Sequence, residues 1–202
     1  MTSTPVIGVL AIQGAVREHV QLLEAAGAEA IQIRHASDLS KVSGIVLPGG
    51  ESTTISKLAV IDGLMEPLRE AARSGLPMYG SCAGMILLAD RILDGRPDQE
   101  TIGGIDMIVR RNAFGRQVDS FEGGIDLAGI EGEPFPGIFI RAPWVEEIGP
   151  GVQVLGRVSS GDAEGRIVAV RDRSLIATSF HPELTGDTRV HQYFVEMVRQ
   201  AA

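Results

Sequence analysis

Four short apolar runs constrain the fold more than any other feature. Val6 to Ile12, Ala30 to Ile33, Gly44 to Leu47 and Leu76 to Tyr79 read as buried strands, and segments of helical spacing lie between them. Val16, Val20, Leu23 and Ala26 recur at three to four residues until Gly27 stops the pattern. Ser52 to Leu58, Leu64 to Ala72 and Met85 to Leu93 read as further helices. Such alternation predicts an α/β fold: a doubly wound, mostly parallel sheet with helices on both faces. The second half reads differently. Gly104 to Arg110, Gly137 to Arg141, Val152 to Val158, Ile167 to Arg171 and Leu175 to Phe180 are five β-type segments with no long helix between them. They are expected to add antiparallel strands to the same sheet. An amphipathic helix from about Asp187, with Val190, Phe194, Met197 and Val198 on one face, ends the chain. Residues 94–98 and 159–165 read as surface loops. With no repeat or linker in view, a single domain over residues 1–202 is expected.

Composition narrows the class. Hydrophobic residues make up 44% and charged residues 22%, a balance that supports a packed core rather than disorder. Eighteen Lys and Arg against 26 Asp and Glu leave a net charge of −8. Neither a basic nucleic-acid footprint nor a polybasic membrane patch is present. One cysteine excludes an intrachain disulfide and a Cys-rich zinc site. No run approaches the length of a membrane span. The residues from Met1 to Pro5 lack the charged start of a signal peptide, so a reducing, cytoplasmic setting is expected.

That cysteine carries the strongest chemical signal. Tyr79-Gly80-Ser81-Cys82-Ala83-Gly84-Met85 sits between a buried strand and an apolar helix, in the Gly-x-Cys-x-Gly pattern of a nucleophile elbow. Glycines at both flanks permit a sharp turn that side chains would block. The turn leaves the sulfur at a helix N-terminus, where the partial positive charge favours thiolate. A lone cysteine in an apolar run is more often structural; the paired glycines at a strand–helix junction tip the reading to catalysis.

A thiol nucleophile needs a base, and the chain has four histidines. His19 and His191 fall inside helical patterns, where packed or solvated side chains are the ordinary outcome. His35 follows a strand without polar company. His181 ends the strand Leu175 to Phe180 and is followed by Pro182 and Glu183. Doubly wound sheets place their sites at such strand ends. In an extended segment, residues two apart point the same way, so Glu183 can orient the imidazole as the third member of a triad. His-Pro-Glu alone is a weak signal; with Cys82 it supplies nucleophile, base and orienter.

Pro48-Gly49-Gly50-Glu51-Ser52-Thr53-Thr54 follows another strand and opens a helix. It lacks the lysine and spacing of a phosphate loop. The amides of Gly50 and Ala83 could converge on an oxyanion, although a tight turn with a Ser/Thr helix cap would read the same way. Arg111 and Arg141 fit either a surface ion pair or a ligand carboxylate, and Trp144 fits packing.

Taken together, Gly-Ser-Cys-Ala-Gly, Pro-Gly-Gly-Glu-Ser and His-Pro-Glu, in this order and spacing, resemble the class I (triad-type) glutamine amidotransferases. The segments Leu10 to Ala15, Arg110 to Glu122 and Phe139 to Pro143 extend the resemblance, nearly end to end, to the family of glutaminase subunits of pyridoxal 5′-phosphate synthases. The resemblance implies that Cys82 attacks the side-chain amide of L-glutamine, with His181 as acid/base and Glu183 as its orienter. It implies that Gly50, Glu51, Ser52, Arg111, Ile140 and Arg141 line the glutamine site. It also implies that the loop at Gln13 and Gly14 is rearranged by a partner and completes the oxyanion hole of Gly50 and Ala83. Ammonia would then serve a separate synthase subunit in a ring-shaped assembly, and the chain would need no cofactor or metal of its own. A glutaminase of another synthase, a cysteine hydrolase or chaperone of the same α/β class, and an inactive binding subunit are the competing readings.

Overall fold

The computed structural model describes residues 4–113, 120–161 and 163–201. The strands are β1 (Val6–Leu10), β2 (Glu29–Ile33), β3 (Gly44–Leu47), β4 (Met78–Ser81), β5 (Ala89–Leu93), β6 (Ile105–Arg110), β7 (Phe121–Ile125), β8 (Phe135–Phe139), β9 (Trp144–Ile148), β10 (Gln153–Arg157), β11 (Ile167–Asp172) and β12 (Leu175–Thr178). The helices are α1 (Val16–Ala25), α2 (Ser52–Ile61), α3 (Met65–Arg73), α4 (Ala83–Leu88) and α5 (Arg189–Ala201), with short 3-10 turns at Ala36–Lys41 and Pro182–Leu184.

Among the described residues, ten strands form one sheet in the order β2-β1-β3-β4-β12-β11-β9-β6-β5, with β10 paired to β11; β7 and β8 form a separate hairpin. The expected doubly wound core is present. β1 pairs in parallel with β2 on one side and β3 on the other, so the winding reverses there. Strand side chains alternate between two cores. Leu10, Ile45, Leu47 and Met78 face α2, α3 and α4. Ile7, Val9, Val46 and Tyr79 face α1 and α5, beside Leu23, Phe194 and Val198. Burial on both faces is why these strands read as unbroken apolar runs.

Three expectations need correction. The helix expected over Met85 to Leu93 stops at Leu88, and Ala89–Leu93 pairs in parallel with β6. Periodicity does not separate helix from strand in a short apolar run; here the edge of the sheet supplies backbone partners and decides the outcome. The C-terminal half adds the expected antiparallel pairs, β6 with β9, β9 with β11, β10 with β11 and β11 with β12. The last of the five expected segments also joins the parallel core: β12 lies parallel to β4, with Leu175 opposite Met78 and Thr178 opposite Ser81. The strand expected over Gly137 to Arg141 does not join the main sheet: it runs Phe135–Phe139 and pairs with β7 in the separate hairpin, and the sequence pattern announces neither β7 nor β9. β7 has two adjacent glycines, Gly123 and Gly124, which weaken any strand pattern.

Candidate active site

The central parallel strands β1, β3, β4 and β12 are neighbours, and each ends in a loop carrying candidate chemistry. These loops hold Gln13, Pro48 to Ser52, Cys82, and His181 with Glu183. Ligands bind at such carboxyl ends, close to the reversal of strand order.

β4 passes directly into α4 at Cys82, whose backbone sits at φ 49°, ψ −98°. This left-handed conformation costs a non-glycine residue about 1–3 kcal/mol and persists only where the surroundings enforce it. Those surroundings are backbone. A Cβ on Gly80 would run into the carbonyl group of Gly84, and one on Gly84 would run into the carbonyl of Leu47 in β3. The amide of Cys82 donates to the Thr178 carbonyl at 2.8 Å, which ties the elbow to β12.

β12 delivers His181. Its amide donates to the Ile138 carbonyl at 2.9 Å, so the hairpin β7–β8 fixes the backbone there. His181 Nδ1 lies 2.7 Å from Glu183 Oε1, and both residues are buried. The pairing arises differently from the extended geometry expected: Glu183 lies in the 3-10 turn Pro182–Leu184, whose first residue is proline. Burial opposes charge on both groups. For His181, hydrogen bonding with Cys82 and Glu183 and their negative charges outweigh burial and raise the imidazole above its ordinary value. For Glu183, the His181 hydrogen bond and the two nearby imidazoles outweigh burial and hold the carboxyl below the usual range. The arrangement therefore favours imidazolium beside carboxylate.

The candidate residues converge on a cleft of about 300 Å³ lined by Gln13, Gly50, Glu51, Ser52, Cys82, Ala83, Arg111, Ile140, Arg141 and His181, together with Ile86 and Asn112. Gly14 stands just behind it, against the Gly49 carbonyl. Glu51, rather than a Ser or Thr, caps α2: its Oε1 accepts from the Thr53 amide at 3.5 Å and also from Thr53 Oγ1 at 2.9 Å. The same oxygen accepts from Arg111 Nη2 at 3.1 Å. Ser52 is buried and accepts from Gln99 Nε2 at 3.1 Å. Gln13 Oε1 accepts from the Glu51 amide at 2.9 Å, and the Ala15 amide donates to the Gly49 carbonyl at 3.0 Å. The β1 loop is thus bonded to the β3 loop. Of the specific segment Arg111 to Glu122, residues 114–119 lie outside the described residues. His35 is exposed and stands apart from the cleft, and its backbone amide donates to Asp38 Oδ2 at 3.0 Å.

Sequence reasoning passed over three contributors. Ser81 Oγ donates to Glu183 Oε2 at 3.0 Å. Gly49 faces the His181–Glu183 pair: a Cβ there would lie 2.6 Å from His181 Cε1. His19, fully buried, has Nε2 3.5 Å from Glu183 Oε2 and Nδ1 2.9 Å from His191 Nε2. The signal for His19 was its place on the buried face of α1, three and four residues before Leu22 and Leu23.

These buried histidines make stability depend on pH. Burial lowers both below the ordinary 6.5, His191 to about 3. Below pH 6.5 the unfolded chain takes up protons that the folded chain refuses, so stability falls with pH. One such histidine accounts for about 2 kcal/mol between pH 7 and pH 5. Glu183 acts in the same sense below about 4.5. His181, raised, acts oppositely, but its contribution is complete once pH is below about 6.5. Urea unfolding at the two pH values is expected to show this loss, and His191→Leu is expected to remove part of it.

The profile of the SNO glutamine amidotransferase family matches residues 9–200. The chain is 64% identical to a Kineococcus radiotolerans protein named pyridoxal 5′-phosphate synthase subunit PdxT, covering 99% of this chain and 98% of that one. A Streptomyces coelicolor protein of the same name is 62% identical, covering 98% and 96%. A solved structure titled as a glutamine amidotransferase superposes with a TM-score of 0.86 at 44% identity, covering 95% of this chain and 98% of that one. With the elbow, the buried His–Glu pair and the cleft in one place, the match over nearly the whole length settles the affiliation: the chain belongs to the SNO glutamine amidotransferase family.

Proposed function

We propose that this chain is the glutaminase subunit of a pyridoxal 5′-phosphate synthase, hydrolysing L-glutamine to L-glutamate and ammonia for a separate synthase subunit. The observation that carries the reading is Cys82, His181 and Glu183 meeting at one cleft that also presents Glu51 and Arg111. A zwitterionic amino acid needs a cation for its carboxylate and an anion for its ammonium. Arg111 and Glu51 offer the two, and Arg111 Nε is buried without a hydrogen-bond partner among the described residues. Gly50, Ser52, Ile140 and Arg141 complete the walls.

Cys82 Sγ attacks the amide carbon of the glutamine side chain. The amides of Gly50 and Ala83 stabilise the oxyanion, and His181 gives its proton to the leaving nitrogen, which departs as ammonia. Water, deprotonated by the now neutral His181, then opens the γ-glutamyl thioester, releasing glutamate and restoring the thiolate–imidazolium pair. Glu183 keeps the imidazole oriented throughout and stabilises its charged form.

Substrate choice tests the cleft. Asparagine is one methylene shorter, so lost packing costs ~1–3 kcal/mol, and misplacing the amide relative to Cys82 adds to that. The expected result is a kcat/KM for glutamine at least a hundredfold above that for asparagine. Comparable values would sink the assignment.

The partner tests the β1 loop. Gln13 and Gly14 connect β1 to α1, and Gln13 and Ala15 are hydrogen-bonded to the β3 loop, so a protein docking there reaches the oxyanion donors directly. The synthase subunit of a ring-shaped assembly is the proposed partner. One oxyanion donor is worth roughly 10²–10³ in kcat. Saturating synthase is therefore expected to raise kcat within about that range and to change KM little. A free subunit already as fast as the complex, or an effect on KM alone, overturns the gating.

A further inference from the structure

The carboxylate of Glu183 is fully buried, and His181 is only one of the groups around it. Oε1 faces His181 Nδ1, while Oε2 accepts from Ser81 Oγ at 3.0 Å. From α1, His19 Nε2 approaches Oε2 to 3.5 Å, with no exposed surface on either side chain. Behind it, α5 brings His191 Nε2 to 2.9 Å from His19 Nδ1. His19 Nε2 and His191 Nδ1 have no hydrogen-bond partner among the described residues. His19 and His191 each make a T-shaped contact with the ring of Tyr79.

Charge and tautomer settle what this line of groups does. Burial keeps both histidines neutral, so each ring has one donor and one acceptor nitrogen. In the short His19–His191 contact, one nitrogen donates and the other accepts. If His19 donated, the lone pair on its Nε2 would face a buried carboxylate. If His191 donates, His19 keeps its proton on Nε2 and presents it to Glu183. The second arrangement is attractive in a low-dielectric interior, and the first is repulsive. A contact of 3.5 Å is charge–dipole rather than a formed hydrogen bond; bonds of this kind tighten as the reaction proceeds.

We propose that His19, fixed in its Nε2–H tautomer by His191, is a positioning residue for the triad: it presents a third donor to Glu183 and so holds the carboxylate that orients His181. The kinetic consequence rests on the glutaminase reading; the geometry does not. The titratable groups facing Glu183 and His19 are His181 and Cys82 at the strand ends, Tyr79 on β4, His191 on α5 and Glu18 on α1. Removing the His19 donor leaves Glu183 more basic. It then takes up a proton at higher pH, and the imidazolium beside Cys82 loses its counter-charge.

The test compares His19→Leu, which keeps bulk without a donor, with His19→Gln, whose amide places an N–H near the lost Nε2. Two readouts are used on the full chain. The first is the pH profile of Cys82 alkylation by iodoacetamide, which needs no glutamine. The second is kcat and KM for glutamine with saturating synthase. In His19→Leu the acid limb of alkylation is expected to move up by about one pH unit. Its kcat should fall about tenfold to a hundredfold, the value of one hydrogen bond to a charged group, with KM within twofold. His19→Gln should recover most of both. His191→Leu, which releases the tautomer without touching Glu183, should shift the same limb by less, and it carries the decision with His19→Gln if His19→Leu does not fold. Unchanged profiles in the folded variants, or equal losses in Leu and Gln, overturn the proposal. A shifted alkylation limb in a protein that never releases ammonia from glutamine would leave the positioning intact and remove the glutaminase reading.

Discussion

Cys82→Ala is expected to fold as the parent does and to release no ammonia above background, a loss of at least roughly 10⁴ in kcat. The fold should survive because the residue contributes little to packing beyond its backbone. The positive φ is imposed by the glycines at 80 and 84, and alanine meets the same strain as cysteine. The amide still donates to Thr178, and only one sulfur atom leaves a site that opens on the cleft. The chemistry should not survive, since no other thiol exists in the chain. His181→Asn is expected to match it closely, and the double variant should be hardly worse than either, because members of a triad act as a unit. Ammonia release with synthase present, read beside thermal unfolding of each variant, checks this. Substantial turnover in folded Cys82→Ala would falsify the nucleophile.

How far the sequence carries depends on whether the controlling contact is local. The elbow was legible because its requirement is local: two glycines, a thiol between them, a strand before and a helix after. The parallel core was legible for a similar reason, since strands buried on both faces leave unbroken apolar runs at Gly44–Leu47 and Val6–Leu10. By contrast, the strand Ala89–Leu93 depends on an edge offered by β6 more than ten residues later, and nothing within the segment announces that edge. The parallel pairing of β12 with β4 is a tertiary choice of the same kind. His19 and His191 lie 172 residues apart and meet only because α1 and α5 cover the same face of the sheet. Each alone is an ordinary helical histidine; their joint approach to Glu183 exists only in three dimensions. Ser81 was hidden by its neighbour, because the residue before Cys82 reads as part of the turn.

Gly49→Ala and Gly84→Ala are expected to separate catalysis from folding at two positions that read alike in the sequence. Neither glycine has positive φ, so space rather than strain decides both. At Gly84 the added methyl meets the Leu47 carbonyl in the middle of the sheet, and neither backbone can give way. Overpacking of that kind costs ~1–3 kcal/mol, occasionally more, and it also distorts the elbow. Gly84→Ala should therefore lose stability and activity together. At Gly49 the obstruction is the His181–Glu183 pair: the methyl would lie 2.6 Å from His181 Cε1, 2.8 Å from Nδ1 and 3.1 Å from Glu183 Oε1. Side chains can turn where backbone cannot, so the fold should accommodate the change. The imidazole must then tilt away from the carboxylate or from the sulfur. A misplacement near 1 Å costs roughly 10²-fold in rate, so kcat for Gly49→Ala should fall by about that factor or more. Its KM should stay close to the parent, because Gly49 does not line the cleft. Melting temperatures and steady-state constants for the two proteins decide the point. A Gly49→Ala protein with the parent's kcat would mean that the His181–Glu183 pair tolerates displacement, and the triad would then need less exact support than its burial indicates.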